Sequence, residues 1–144
     1  MLIARAVSEQ IKERCDFYEN LKIFLTQFKL NIAFKQEKIL DFLNELKPKR
    51  QFKLFIDDYK EHLLGKELNL SNIKVLESDD ILELRDMVSR LGGMDAKNEI
   101  EQLENFMLNI DIKLKKAQED KQKLCPMITK LSLLFALALV IILL

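Results

Sequence analysis

The last fourteen residues, LSLLFALALVIILL at 131–144, carry one hydroxyl and no charge. A helix built from them is apolar on every side, so it must be enclosed by protein or by lipid. A 144-residue chain whose remainder is highly charged has little structure left to enclose it. Fourteen helical residues reach about 21 Å, short of the roughly 30 Å hydrocarbon core of a bilayer. Extending back to Leu124 adds LCPMITK, apolar apart from Lys130 and the Thr hydroxyl, and twenty-one residues reach about 31 Å. Lys130 then lies about a third of the way into the span, where its long stem lets the ammonium snorkel towards the polar face. Pro126 falls in the first turn of the new segment, where its missing N–H costs little. An interfacial helix is excluded because there is no polar face. Residues 124–144 therefore read as a C-terminal transmembrane anchor.

The charge sits entirely before this tail. Lys and Arg number 23, Asp and Glu 23, so the net charge is zero and nothing points to nucleic acid or to an acidic small-molecule substrate. Lys113, Lys115, Lys116, Lys121, Lys123 and Lys130 precede the span and nothing basic follows it. The positive-inside rule places the body, residues 1–123, in the cytoplasm. Two distant cysteines, Cys15 and Cys125, without a CxxC spacing, argue for a reducing compartment and against a disulfide framework or zinc. The opening MLIARAV is too short an apolar run for a signal peptide.

Only three Gly and two Pro interrupt a chain rich in helix formers. Residues 4–47 read as one helix. Ile11, Tyr18, Leu21, Leu25, Phe28, Ile32, Ile39, Leu43 and Leu46 form its stripe, which Phe17, Phe24, Phe34 and Phe42 widen, and Pro48 ends it. A second helix covers 50–64, with Phe52, Phe55, Ile56, Tyr59 and Leu63 on one side and Gly65 as its C-terminal cap. Residues 66–78 have weak periodicity and read as a connection. SDDILELRDMVSRL starts with Ser78 or Asp79 as a helix cap and buries Ile81, Leu84, Val88 and Leu91.

Leu91-Gly92-Gly93-Met94-Asp95 is the clearest turn. Gly92 suits a left-handed helix end, and Asp95 suits the cap of the next helix. After it, Ile100, Leu103, Met107, Ile110, Leu114, Ala117 and Leu124 form a heptad seam, with Lys121 in one slot. Two helices joined by so short a turn lie antiparallel. The fold class is all-α: an antiparallel helical bundle with a long helical hairpin and a C-terminal transmembrane helix. Within the span, Ser132 and Ala136 are small residues four apart, a spacing that permits close helix contact.

No catalytic constellation survives inspection. His62 is the sole histidine and has no nucleophile to serve. Asp57-Asp58 and Asp79-Asp80 are adjacent on helices and point apart. Gly92-Gly93 lacks the Lys-Ser/Thr and the strand of a phosphate loop. The basic run from Lys47 to Lys53 reads as a solvated loop. The expectation is a scaffold rather than an enzyme, without cofactor or metal.

The stretch LGGMDAKNEIEQLENF, followed by a charged helix and an apolar tail, resembles the C-terminal half of the stage III sporulation protein AB family. That family shows a Leu-Gly-x-x-Asp turn, here Leu91, Gly92 and Asp95, and a Gln four residues after the Asp, here Glu99. Its membrane segment carries two glycines four apart, which map to Ser132 and Ala136. LKIFLTQFKLNIAF at 21–34 resembles its first cytoplasmic helix, with Asn31-Ile32-Ala33-Phe34 in place of Glu-Ile-x-Tyr. Its Gly and Thr-Pro turn is replaced here by KQEK, which predicts that the first two helices run together. The family usually opens with another membrane helix, where this chain has residues 1–7. The resemblance implies a helical domain similar to the F-domain of type II secretion and type IV pilus platform proteins. It further implies a non-enzymatic platform in the mother-cell membrane of an endospore former. That platform would belong to the secretion-like channel joining mother cell and forespore. Its partners would be the other channel subunits, with their cytoplasmic ATPase a candidate, and membrane lipid. The alternative is a tail-anchored coiled-coil adaptor that uses the 100–124 seam to recruit a soluble partner.

Overall fold

A computed structural model describes residues 2–35, 38–91 and 95–144 of the chain. Every regular element among them is helical. Helix α1 spans Leu2–Leu30, closed by a π-helical turn at Asn31–Lys35; α2 is Ile39–Glu45, α3 Arg50–Leu63, α4 Ser78–Arg90 and α5 Ala96–Leu143. The all-α bundle is as expected. Its backbone is the packing of α1 along α5, with the shorter helices and one long connection completing the core.

Helix α1 buries Cys15, Phe17, Tyr18, Leu21, Phe24, Leu25 and Phe28, the three-and-four spacing of one broad helical face. The expected single helix over 4–47 is instead two. Lys38 is extended, at φ −60° and ψ 143°, before α2 begins. Phe42 then lies 5.9 Å from Phe24 and 5.7 Å from Phe28, ring centroid to centroid. On a continuous helix Phe24 and Phe42 would be about 27 Å apart, so α2 folds back onto α1. KQEK has no helix breaker, and aromatic burial decides the matter. Helix α2 stops at Glu45, ahead of Pro48, whose ring disfavours helical geometry at Lys47.

Helix α3 turns Phe52, Phe55, Ile56 and Tyr59 into the core. Leu63, expected on that side, is exposed. Gly65 caps the helix end as anticipated, with φ at 103° and its amide donating to the His62 carbonyl at 3.1 Å. Residues 66–77 form a connection without helix, yet Leu68, Leu70, Ile73, Val75 and Leu76 are all buried. Arg14 fastens it to α1 by donating from Nε to the Val75 carbonyl at 2.8 Å. The amide of Lys74 donates to Gln51 Oε1 at 3.2 Å.

Helix α4 starts at Ser78, so the residue before it is Glu77, and no side chain caps its first amides. Asp79 and Asp80 still place negative charge on the first turn, where the helix dipole favours it. Leu84, Met87 and Val88 are buried, with Leu91 beyond them.

Helix α5 is continuous over 48 residues, about 72 Å. Pro126 therefore lies inside it, not in the first turn of a new segment. The ring removes one intrahelical hydrogen bond, but a break here would free several more carbonyls at the edge of an apolar span. The start of α1 runs beside this point, and Cys125 Sγ approaches the Ser8 carbonyl at 3.8 Å. From Leu131 onward the large apolar side chains are exposed. The most apolar eighteen-residue window has a mean hydropathy of 2.3, and none of it is buried against the rest of the protein. This end of α5 is long and apolar enough to cross a membrane.

Candidate membrane-facing site

Charge pairs set the register between α1 and α5. Lys22 Nζ meets Asp111 at 2.7 Å and Lys29 Nζ meets Glu104 at 2.9 Å, so seven residues forward on α1 match seven back on α5. Continuing that register brings Ser8 to Cys125, the contact observed. The helices are antiparallel, and the first turns of α1 lie against the start of the apolar span. These exposed pairs contribute little energy. They mark alignment, while the buried Leu103, Ile110, Leu114 and Ala117 supply the adhesion. Asp111 thus pairs across the hairpin rather than with Lys115 on its own helix.

A second lock joins α4 to α5. Lys113 donates to Asp80 and, at 2.5 Å, to Glu83, and Asn109 Nδ2 also donates to Glu83. This register makes α4 and α5 antiparallel, as the short turn between them requires. Burial pushes the Lys113 ammonium down, but hydrogen bonds and charge from Asp80 and Glu83 outweigh it, and its pKa is raised. The resulting stabilisation is complete below about pH 10.4 and is lost only as pH rises through the folded value. Tyr18 reaches the same cluster: burial, then the charge of Asp80 and a hydrogen bond to it, push its hydroxyl up.

Of the turn residues, Leu91 is buried and extended after α4, and Asp95 directly precedes α5. Asp95 Oδ1 accepts from Asn98 Nδ2 at 2.6 Å instead of capping a backbone amide. Gly92 lies outside the described residues. Glu99, at the family's Gln position, is buried to 7% exposure, which periodicity alone did not reveal. Its charge and burial, with burial the larger effect, push the nearby Tyr59 hydroxyl up.

Ser132 and Ala136 are half-buried, unlike the residues around them. Both line an apolar groove with Ile3, Ala4, Val7 and Phe135. The structure thus brings the small pair to the seam that the first turns of α1 open. The opposite flank of that seam holds Arg5, Ser8, Glu9, Lys12 and Thr129. The α1 contribution was missed from sequence. The signal available was the charge register along the hairpin, which required knowing that α1 is the partner.

Elsewhere, His62 Nδ1 lies 3.1 Å from the Lys66 carbonyl, in a helix-end contact. Among the described residues, no three His, Cys, Asp or Glu side chains cluster to hold a metal. Burial, with repulsion from Glu61 and Asp57, pushes the Asp58 carboxyl up, and its Oδ2 is buried without a partner. A carboxyl with a raised folded pKa favours folding below its unfolded value, about 3.9, and that contribution is lost as pH rises through the folded value. Asp58→Asn is therefore expected to stabilise the protein at pH 7, by about 1 kcal/mol. The gain should shrink towards pH 4, which thermal unfolding at the two pH values will check.

Comparison with protein families matches the chain to the family model described as stage III sporulation protein AB, over residues 1–144. No curated protein and no solved structure matches the chain.

Proposed function

This chain belongs to the stage III sporulation protein AB family, and from that premise we propose that it is a non-enzymatic membrane platform of the sporulation channel. In this reading residues 124–144 anchor it in the mother-cell membrane and residues 1–123 form a cytoplasmic helical body. The first turns of α1 lie along the start of the anchor. The lysines from 113 to 130 hold the body on the cytoplasmic side. The body would present its helices to other channel subunits and to their cytoplasmic ATPase.

The observation that carries this proposal over a coiled-coil adaptor is the fate of the heptad seam. Leu103, Ile110, Leu114 and Ala117 are buried within one chain, where α5 packs antiparallel along α1. An adaptor that dimerises through the same stripe would first have to strip α1 away. Deleting the gene in its host is expected to block sporulation after engulfment. Normal spores from a clean deletion would reject the platform, and a stable parallel dimer of residues 95–124 would favour the adaptor.

A further inference from the structure

We propose that the polar flank of the α1·α5 tip is a binding site for the headgroup of an anionic phospholipid. The proposal rests on the membrane reading above and adds a ligand to it. Three observations meet at this place. The first is chemical. The groove between α1 and α5 is lined by Arg5, Ser8, Glu9, Lys12, Thr129 and Ser132. Arg5 and Lys12 are exposed cations one face apart from the seam, and Ser8 and Ser132 bring hydroxyl donors half-buried within it. Thr129 shapes the wall but not the bonding, since its hydroxyl donates to the Cys125 carbonyl at 3.0 Å.

The second observation is depth. Lys130 is the last charge on α5, and everything after it is uncharged. The groove spans this boundary, with Lys12 and Ser8 on its charged side and Leu133 on its apolar side. A phospholipid has the same division, an anionic phosphate joined to acyl chains, so the end of the groove at Ser8 and Lys12, level with the start of the 124–144 span, is where its phosphate lies. The third is the asymmetry of the tip. Across the seam from Arg5 and Lys12 the surface is Ile3, Val7, Ile128, Leu131 and Phe135. One flank can receive only hydrocarbon, so the polar donors are gathered on the other.

Glu9 lines the same groove and opposes an anion. It sits between Arg5 and Lys12 on α1, four residues from one and three from the other, so it offsets one of the two positive charges. Two cations against one carboxylate leave the site cationic. Arg5 presents a planar fork suited to a phosphate, and Lys12 a mobile point charge.

The test uses the full-length chain in mixed micelles containing equal phosphatidylglycerol and phosphatidylcholine of matched acyl chains. Retained lipid is counted by native mass spectrometry. The wild type is expected to retain phosphatidylglycerol preferentially. The Arg5→Gln, Lys12→Gln double variant should lose that preference by about fivefold for each charge removed. Both side chains are exposed, so helicity measured by circular dichroism should not change. A Lys47→Gln, Lys49→Gln variant, altered in a distant loop, should keep the preference. Equal retention of the two lipids by the wild type overturns the site, as does a loss shared equally by the loop variant. Displacement of the lipid by free glycerol phosphate would make this a soluble-phosphate site and overturn the lipid assignment. Flotation of the wild type on neutral phosphatidylcholine vesicles reads the anchor separately. Failure to float rejects the membrane reading, whereas flotation without headgroup preference rejects this site alone.

Discussion

Replacing Phe24 with alanine is expected to cost about 3–5 kcal/mol of folding stability. The side chain is 1% exposed. Its ring lies 5.8 Å from Phe28, 5.9 Å from Phe42 and 6.0 Å from both Phe52 and Phe55. It therefore joins α1 to α2 and to α3 at one point. The site cannot collapse easily, because rings from three helices frame the vacated space, and residual cavity volume is what makes such truncations costly. The loss should fall first on α2, a seven-residue helix with no stability of its own. Lys22→Ala, which removes only an exposed ion pair with Asp111, should change stability by less than about 1 kcal/mol. Denaturant unfolding of the full chain in mild detergent, followed by circular dichroism, compares the two. Equal effects from the two variants would mean that the aromatic cluster does not hold the bundle together.

The same phenylalanines show why part of this fold was legible in the sequence and part was not. The helical character of α1, α3, α4 and α5 follows from stripes at three-and-four spacing, a local property that any window of the chain displays. So does the apolar end of α5. The break after residue 35 is different. KQEK is compatible with helix, and the chain folds back because Phe42 gains contact with Phe24 and Phe28, an outcome set by residues fourteen and more positions away. Residues 66–77 fail for a related reason. Leu68, Leu70, Ile73 and Val75 are buried one at a time by an irregular backbone, so no periodicity announces them. The sequence pairs the stripe on α5 with the helix before the turn, whereas α1 is its chief partner in the fold. Hence Ser132 and Ala136 were visible as a small-residue pair, while Arg5, Ser8 and Lys12 on the facing helix were not. Pro126 was misplaced because a helix start is its usual station, and only the brace of α1 beside Cys125 distinguishes this site.

Deleting residues 126–144 is expected to move the protein entirely from the membrane fraction to the soluble one. The most apolar window of α5 has a mean hydropathy of 2.3 and none of its residues is fully buried, which suits it to be covered by lipid. The other apolar stretch near the membrane, Leu2, Ile3 and Val7, is interrupted by Arg5 and followed by Glu9 and Lys12. These charges leave no uncharged run of spanning length among residues 2–12. The core of the body, from Cys15 to Ala117, does not draw on the deleted segment, so the truncated protein should remain helical. A finer version leaves the length intact. Leu134 sits near the middle of the 124–144 span and is 62% exposed. Leu134→Arg places a charge there at a cost of about 2.5–3.5 kcal/mol, which lowers the inserted fraction relative to the free one by about two orders of magnitude. Leu134→Ala should insert normally. Carbonate extraction of membranes separates the cases. If the truncation resists extraction, the first turns of α1 hold the bilayer by themselves. If Leu134→Arg resists it while the truncation does not, the charge escapes to water by snorkelling along a span shorter than 124–144, and the anchor begins after Lys130.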